Sequence, residues 1–389
     1  MNIVLLSPYF PTNYYHFAVA LRHNGVNVLG VGDAPYGDLR FELRSALSEY
    51  YRVDDLHRYD DLIRACGYFT HRYGKLDRIE SHNEYWLETD ARLRTDFNIP
   101  GPKSDELVWV KQKSKMKQIF VQAGIEVAPG LVAHTLDEAA QFVAEVGYPV
   151  VAKPDTGVGA SGTYKIRNDA DLAQFFAAKP AADYLFEAFV SGELYSFDGL
   201  VDRDGNIVFY TSHFFSQGIM ETVNQELDIF YYSLRELPPG LEDAGRRAVA
   251  AFKLRERFFH IEFFHLDDGR WVALEVNMRP PGGMTMDMFN YANNIDLYRE
   301  WANIIAFDRF QAKYMRPYHC AYIGRRKTRA YSLSHAEVLE RYGNLLIEHG
   351  PMSDVLSPAL GNYSYLVRSP DLDVVLSATA GIQALESAD

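Results

Sequence analysis

The chain has 389 residues, which is too long for one ordinary hydrophobic core, so we expect two or three packed subdomains. It carries 39 basic and 52 acidic residues and a net charge of −13, which argues against nucleic acid or an anionic membrane as a partner. Its two cysteines are too few for a disulfide scaffold and lack metal-ligand spacing. No segment has the pattern of a signal peptide or of a membrane span, so we expect a cytoplasmic protein.

Residues 1–97 alternate between strand-like and helix-like segments. A buried strand is predicted at residues 3–6, a helix at about 17–23 and the next strand at 26–31. This alternation predicts a Rossmann-like parallel sheet with ligands near the carboxyl ends of its strands. No glycine-rich fingerprint follows the first strand, so no dinucleotide is assigned to it. Proline and glycine at residues 98–102 mark the end of this domain.

The rest of the chain divides into a long middle region and a shorter tail. A helix is predicted at about residues 110–123, a capping box at Thr135–Glu138 opens another, and strands dominate from residue 150 to about 305. Residues 310–389 form a smaller αβ unit. The predicted fold class is α/β, with an α+β arrangement in the middle region.

A loop of small residues, 156–163, follows the predicted strand that ends at Lys153. Three of its glycines satisfy the spacing of a dinucleotide fingerprint, but that fingerprint needs a following helix, and residues 163–166 predict a strand. The loop also lacks the final Gly-Lys-Ser/Thr of a Walker motif. Its backbone N–H groups could close over phosphates, with Lys153 as a point charge. The alternative is a plain surface hairpin with a solvated lysine.

Two carboxylates lie on consecutive predicted strands. Because strand side chains alternate between faces, Glu275, Asn277 and Arg279 share one face, and hairpin pairing would bring Glu262 beside Glu275. Two carboxylates and an amide oxygen make a hard, oxygen-only site suited to Mg²⁺, and an adjacent arginine suits a transferring phosphoryl group. The alternative is a pair of outward-facing glutamates with Arg279 as their salt-bridge partner.

Taken together and in this order, these motifs resemble the ATP-grasp superfamily, and within it the carboxylate–amine ligases of the L-amino acid ligase type. The resemblance covers residues 110–283 and includes Gly147–Pro154, the small-residue loop, Phe186–Glu193 and Glu275–Arg279. It implies an ATP-grasp domain at residues 98–309.

Within that domain the resemblance implies a small lid subdomain at about residues 110–190. The N-terminal Rossmann-like domain, 1–97, and the C-terminal αβ subdomain, 310–389, would pack on it. A homodimer is common among such proteins.

The resemblance further implies an ATP-dependent enzyme that uses Mg²⁺, with Mn²⁺ as a substitute. It would phosphorylate a carboxylate and couple the acyl phosphate to an amine, releasing ADP and phosphate. The implied partners are small carboxylates and amines, amino acids among them. A bicarbonate-activating enzyme of the same fold is the alternative, and a nucleotide-binding protein without catalysis is a further one.

Individual residues receive roles from the same resemblance. The implied nucleotide contacts are Lys113, Lys153, Gly157, Gly159, Ala160, Ser161, Gly162, Glu187, Ala188, Phe189, Val190 and Glu193. Lys153 would touch the α-phosphate, the small-residue loop would cover the β- and γ-phosphates, residues 187–190 would hold adenine, and Glu193 would bind the ribose. The implied metal ligands are Glu262, Glu275 and Asn277. Arg279 would steady the phosphorylated intermediate.

The first nucleotide lysine stays open between Lys113 and Lys115, and the aspartate that usually precedes it in the family is Gln112 here. A solvated basic run is the alternative for Lys111, Lys113 and Lys115, and it is expected to hold for two of these three lysines.

Four residues are weaker substrate candidates. His213 could line an acceptor pocket together with Phe214–Phe215, although buried strand aromatics are commoner. His260 shares a face with Glu262, where a structural histidine is the competing interpretation. Gly282 and Gly283 follow the arginine motif.

Overall fold

The computed structural model describes residues 1–157, 162–218, 222 and 225–386. In this part of the chain the strands form three sheets. The strands are β1 (Asn2–Leu6), β2 (Asn27–Gly32), β3 (Glu49–Arg52), β4 (Arg78–Glu80), β5 (Glu126–Val127), β6 (Gly130–Val132), β7 (Val150–Pro154), β8 (Tyr164–Ile166), β9 (Tyr184–Ala188), β10 (Glu193–Val201), β11 (Ile207–Phe215), β12 (Phe230–Ser233), β13 (Phe258–His265), β14 (Trp271–Asn277), β15 (His319–Arg325), β16 (Leu346–Pro351) and β17 (Tyr363–Ser369).

The α-helices of the same residues surround these sheets. They are α1 (Tyr15–His23), α2 (Phe41–Ala46), α3 (Tyr59–Tyr73), α4 (Leu87–Asp96), α5 (Ser104–Lys111), α6 (Lys113–Gln122), α7 (Leu136–Val146), α8 (Asp169–Ala178), α9 (Leu241–Ala251), α10 (Thr285–Asn293), α11 (Leu297–Phe307), α12 (His335–Tyr342), α13 (Ser357–Leu360) and α14 (Leu372–Gln383). None of the described helices is both long enough and apolar enough to cross a membrane.

The N-terminal sheet has the strand order β3-β2-β1-β4, and its strands are parallel. Alternate residues of β1 enter two hydrophobic cores on opposite faces of the sheet. One core contains Phe17 of α1 and Trp301 of α11, and the other contains Phe69 of α3. The predicted Rossmann-like parallel sheet is therefore confirmed.

The largest sheet has nine strands, in the order β16-β17-β15-β12-β11-β10-β13-β14-β5. Its pairs are antiparallel except for β14 with β5. Strand β12 pairs with β15, so the hydrogen-bonded sheet continues across the predicted boundary at residues 309/310. The three-part domain division remains a prediction.

The third sheet has the order β6-β9-β7-β8 and shares a core with α7 and α8. The predicted capping box is confirmed, because Oγ1 of Thr135 accepts from the Glu138 N–H at 3.2 Å while the Glu138 carboxylate accepts from the Thr135 N–H at 3.4 Å. The strand predicted after the small-residue loop is β8, which pairs antiparallel with β7.

The prediction of one helix at 110–123 is wrong, because the chain forms two helices, α5 and α6, that meet at Gln112. Gln112 has φ −93° and ψ 109°, outside the helical region, and its backbone bridges to Thr156. The N–H of Lys113 donates to the Asp155 carbonyl at 2.8 Å instead of continuing the earlier helix. A tertiary contact therefore breaks a segment whose local pattern is helical.

Candidate active site

A cavity of about 580 Å³ lies between the third sheet, β6-β9-β7-β8, and the largest sheet. The third sheet is called the small sheet below. Its volume is within the range of small-molecule sites, about 300–1,000 Å³. The predicted site residues that line it are Lys113, Lys153, Glu187, Ala188, Phe189, Val190, Glu193, Glu262 and Glu275. Residues predicted from separate motifs along the chain thus meet at one concave surface.

Asp155 joins the start of α6 to the strand that carries Lys153. Its Oδ1 accepts from the Ser114 N–H at 2.7 Å, and its Oδ2 accepts from the Ser114 hydroxyl and from Nε2 of Gln112, each at 2.8 Å. These bonds satisfy a free N–H in the first turn of α6 and place a negative charge at the positive end of the helix. They hold Lys113 and Lys153 on the same side of the cavity.

The geometry distinguishes the two candidates for the first nucleotide lysine. Lys113 is 7 % exposed and lines the cavity, and no hydrogen bond from its ammonium group to another described residue is found. The ammonium group of Lys115 instead lies 5.7 Å from the ring centroid of Trp109, a residue that is 39 % exposed. The location therefore favours Lys113.

Glu187 forms ion pairs with two lysines, Lys153 and Lys117. Burial alone would raise the pKa of Glu187, but the two ammonium groups outweigh it and hold that pKa below its ordinary value. Burial lowers the pKa of Lys117, and the neighbouring charge of Lys153 adds to this shift. The Lys117 ammonium also donates to the Ala128 carbonyl at 2.8 Å. Glu187 thus fixes two cations, of which Lys153 lines the cavity.

The hinge predicted to hold adenine follows β9, which pairs with β7 so that Val150 lies opposite Ala188. The ammonium group of Lys165 lies 3.5 Å from the ring centroid of Phe189. Glu193 begins β10 and is exposed, and its Oε2 accepts a 2.9 Å hydrogen bond from the Tyr195 hydroxyl. The other carboxylate oxygen has no hydrogen-bond partner among the described residues.

The hairpin of β13 and β14 pairs Glu262 directly with Glu275, as the alternation of side chains predicted. Nδ2 of Asn277 donates to Oε1 of Glu275 at 3.1 Å. These residues offer oxygen ligands, as Mg²⁺ prefers. Among the described residues no group of three or more His, Cys, Asp or Glu side chains could hold a metal. Two carboxylates and one amide oxygen would leave the other coordination positions of a Mg²⁺ to phosphate and water.

A buried histidine and a buried aspartate lie behind these carboxylates. Nε2 of His260 is 3.0 Å from Oε1 of Glu262, and its Nδ1 is 2.5 Å from Oδ1 of Asp198. Burial alone would lower the pKa of His260, but Asp198 and then Glu262 outweigh it and raise the pKa to about 10. Burial alone would raise the pKa of Asp198, but His260 and the hydrogen bonds of both histidines lower it to about 2.

Arg279 does not line the large cavity. Its Nε donates to Oε2 of Glu84 at 2.9 Å, and its Nη2 lies 3.5 Å from Oδ1 of Asn277. Glu84 also accepts from the Lys111 ammonium at 2.9 Å. Burial alone would raise the pKa of Glu84, but Arg279 and Lys111 outweigh it and lower that pKa. Arg279 is thus held beside the predicted metal ligands by a residue of the N-terminal region.

The small-residue loop is only partly described. Gly159, Ala160 and Ser161 lie outside the described residues. Gly157 and Gly162 flank them at the end of β7 and before β8, and Gly162 has a φ of +71°, in the left-handed region. Neither glycine lines the cavity, whereas Thr163 does.

The prediction that His213 lines an acceptor pocket is contradicted by its position. His213 has no exposed surface, because its ring is buried against Phe289 and Nδ1 bonds Oδ2 of Asp198 at 2.8 Å. The neighbouring Phe214 and Phe215 do line the large cavity.

The glycine pair after Arg279 lies near a second cavity. Gly283 lines this cavity of about 140 Å³, whereas Gly282 does not. Gly283 has a φ of +65°, and a Cβ there would lie 2.6 Å from Cδ1 of Leu360, so both the backbone and the space favour glycine. His260 contacts Glu262 and lines neither of these cavities.

Four residues at the site carried no predicted role. Lys117 lies four residues after Lys113 on one helix, and this spacing is a signal that both face the same way. Asp198 lies two residues after Ser196 on a strand, which is a signal of a shared polar face. Glu84 and Asp155 show no comparable local signal, because their partners are distant in sequence.

Comparison with known proteins agrees with this geometry. Residues 146–287 match the model of the ATP-grasp domain family. The chain is 23 % identical over 245 residues to the L-arginine-specific L-amino acid ligase of Bacillus subtilis, a match that covers 61 % of this chain and 59 % of that protein. The chain thus matches less than two thirds of this relative's length.

Two solved structures share the architecture of the chain. The L-amino acid ligase of Bacillus licheniformis has a TM-score of 0.73 at 14 % identity, over 100 % of this chain and 99 % of that one. The biotin carboxylase domain of the Hydrogenobacter thermophilus 2-oxoglutarate carboxylase, in complex with MgADP, ADP and bicarbonate, has a TM-score of 0.67 at 15 % identity. That match covers 98 % of this chain and 89 % of the other. Residues 146–287 therefore form an ATP-grasp domain, and the chain as a whole has the fold of the L-amino acid ligases.

Proposed function

We propose that the protein is an ATP-dependent, ADP-forming ligase that joins a small carboxylic acid to an amine. The observation that carries the proposal is the convergence of Lys113, Lys153, Glu193, Glu262 and Glu275 on one cavity. Cations at one wall and carboxylates at another suit a nucleotide polyphosphate that is bound together with a divalent metal.

In this proposal Lys153 and Lys113 hold the phosphates, residues 187–190 hold the base and Glu193 binds the ribose hydroxyls. Glu262, Glu275 and Asn277 would hold Mg²⁺, which neutralises charge on the β- and γ-phosphates when bound. The carboxylate of the first substrate attacks the γ-phosphorus, ADP leaves, and the amine then displaces phosphate from the acyl phosphate. Positioning and electrostatics supply most of the rate in such transfers, so no covalent enzyme intermediate is required.

We place the amine substrate in the second cavity, of about 140 Å³, which Gly283 lines. Residues 10–13 and Glu348–Ser353 line it, and of its described lining residues Glu348 is the acidic one and none is Lys or Arg. One oxygen of Glu348 accepts from the Tyr291 hydroxyl at 3.0 Å, which leaves acceptor capacity for an ammonium group. A small amino acid is therefore the proposed second substrate. Its ammonium group would have to lose a proton first, because only the neutral amine has the lone pair that displaces phosphate from the acyl phosphate.

The test is ADP release from Mg-ATP with single and paired amino acids, with the products identified by mass spectrometry. A product mass equal to acid plus amine minus water, which is lost in Glu275→Gln, would establish the ligase. Glu126→Gln is the matched control and should leave the rate unchanged, since Glu126 is an exposed carboxylate on β5 that forms an ion pair with Arg270, the residue before β14. ATP turnover with bicarbonate alone would contradict the proposal and would favour a bicarbonate-activating enzyme of the same fold.

A further inference from the structure

A row of polar side chains crosses the interior of the largest sheet and ends at the large cavity. Register places Ser196 opposite His213 on one side and opposite Glu262 on the other, and Asp198 opposite His260. Directly opposed residues project from the same face, so these five side chains face the same way. Of the five, Glu262 lines the cavity.

Asp198 accepts three hydrogen bonds from this row. Its Oδ1 faces Nδ1 of His260 at 2.5 Å, and its Oδ2 accepts from Nδ1 of His213 at 2.8 Å and from the Ser196 hydroxyl at 2.5 Å. Nε2 of His260 faces Oε1 of Glu262 at 3.0 Å. Carboxylate oxygens accept hydrogen bonds, so both ring nitrogens of His260 are donors between two carboxylates.

Burial of these charged and polar side chains costs free energy, so we expect them to have a role other than stabilising the fold. Asp198 has no exposed surface, and an ion pair of this kind is seldom more stabilising than well-packed apolar residues of similar volume. Its effect at the cavity is specific, however. The N–H of His260 occupies Oε1 of Glu262 and fixes that carboxylate, which leaves Oε2 for a ligand in the cavity.

We propose that Asp198 and His260 are positioning residues that hold Glu262 in the orientation required to bind the divalent metal. Asp198 fixes the imidazole ring through Nδ1, and the ring fixes Glu262 through Nε2. This inference depends on the proposed function, because it takes Glu262 to be a metal ligand. It predicts that metal affinity depends on two side chains that do not themselves contact the metal.

The experiment titrates Mn²⁺ into protein saturated with ADP and follows the signal of free Mn²⁺ by electron paramagnetic resonance. The variants are His260→Leu, which removes both donors, His260→Gln, which keeps one amide donor, and Asp198→Asn. The matched control is Thr211→Val, since Thr211 is buried opposite Asp198 and its hydroxyl has no hydrogen-bond partner among the described residues. ADP binding without metal is measured by calorimetry on every protein.

We expect His260→Leu and Asp198→Asn to weaken Mn²⁺ binding by about 10-fold or more, as for other residues that orient metal ligands. His260→Gln should weaken it less, and Thr211→Val should match the wild type. Unchanged metal-free ADP binding would show that the variants are folded, and His260→Gln alone suffices if the other two do not fold.

Two results would overturn the inference. Mn²⁺ affinities of the His260 and Asp198 variants equal to that of the wild type would remove the positioning role while leaving the proposed function intact. A wild-type protein that binds ADP but no Mn²⁺ would remove the metal site itself, and with it both proposals.

Discussion

Nε of Arg279 donates a 2.9 Å hydrogen bond to Oε2 of Glu84, although the two residues are 195 positions apart in the chain. The side chains of the pair are 17 % and 12 % exposed. Lys111 completes the group by donating to the other oxygen of Glu84 at 2.9 Å. One carboxylate of the N-terminal region thus compensates two cations, of which Arg279 lies within the ATP-grasp domain.

We expect Glu84→Ala to lower the free energy of unfolding by about 3 kcal/mol, because it leaves two mostly buried cations unpaired. Lys111→Met should cost less, about 1 kcal/mol, because Glu84 keeps its bond to Arg279. Urea unfolding of both variants and the wild type measures the difference. Equal losses for the two variants would contradict the assignment of Glu84 as the shared partner.

The choice between Lys113 and Lys115 can be tested by nucleotide affinity. Lys113→Met should weaken ATP binding by about 10-fold or more, the expected loss of a charge-assisted hydrogen bond to phosphate. Lys115→Met is the matched control and should bind ATP like the wild type, because its ammonium lies over Trp109. Calorimetric titration with ATP measures both, and a reversed order of affinities would assign Lys115 instead.

We expect the stability of the fold to require an uncharged side chain at position 112. Nε2 of Gln112 donates to Oδ2 of Asp155 at 2.8 Å, and Gln112→Glu would set a second carboxylate against that oxygen. We expect this variant to lose about 1–3 kcal/mol of unfolding free energy. Gln112→Met should lose less, because Ser114 still donates to the same oxygen. Thermal and urea unfolding of both variants give their losses of unfolding free energy. The extra loss in Gln112→Glu over that in Gln112→Met measures the repulsion between the two carboxylates.

Asp90 is expected to make stability fall as the pH rises. Burial, with a further contribution from Glu80, raises the pKa of Asp90 from 3.8 to about 7, although Arg94 opposes the shift. Between these two values the unfolded chain loses the proton while the folded chain retains it, so unfolding becomes easier as the pH rises from about 4 to 7.

Asp90→Asn removes this dependence. Between pH 5 and pH 7 the wild type should lose on the order of 2 kcal/mol relative to the variant. Urea unfolding at the two pH values measures the change, and a constant difference between wild type and variant would contradict the raised pKa.

The sequence allowed prediction of those parts of the site that depend on local periodicity. The pairing of Glu262 with Glu275 follows from alternation along two strands joined by a short turn. The parallel N-terminal sheet follows from the alternation of apolar runs and helices. The sequence left His213 open between a pocket and a buried position, because alternation gives the face of a residue but not what covers that face.

Other features depend on contacts that no local pattern encodes. The helix break at Gln112 comes from Asp155, which is 43 residues away, so the helical pattern of residues 110–123 was misleading. Glu84 meets Arg279 only when the N-terminal region packs beside β14. Arg326 of the tail is likewise fixed by distant contacts, because it is 8 % exposed and its Nη2 donates to the Pro358 carbonyl at 2.8 Å.

The unbroken sheet from β16 to β14 has a mechanical consequence. Rotation of the C-terminal strands against the strands that carry Glu262 and Glu275 would have to break the ladder between β12 and β15. Among the residues that the structure describes, the small sheet, which carries Lys153 and Glu187, shares no strand pairing with the largest one. In the proposed ligase, admission of a nucleotide and release of ADP should therefore depend on tilting of the small sheet relative to the largest sheet. A cross-link between the two sheets would arrest turnover, whereas one between β12 and β15 would not.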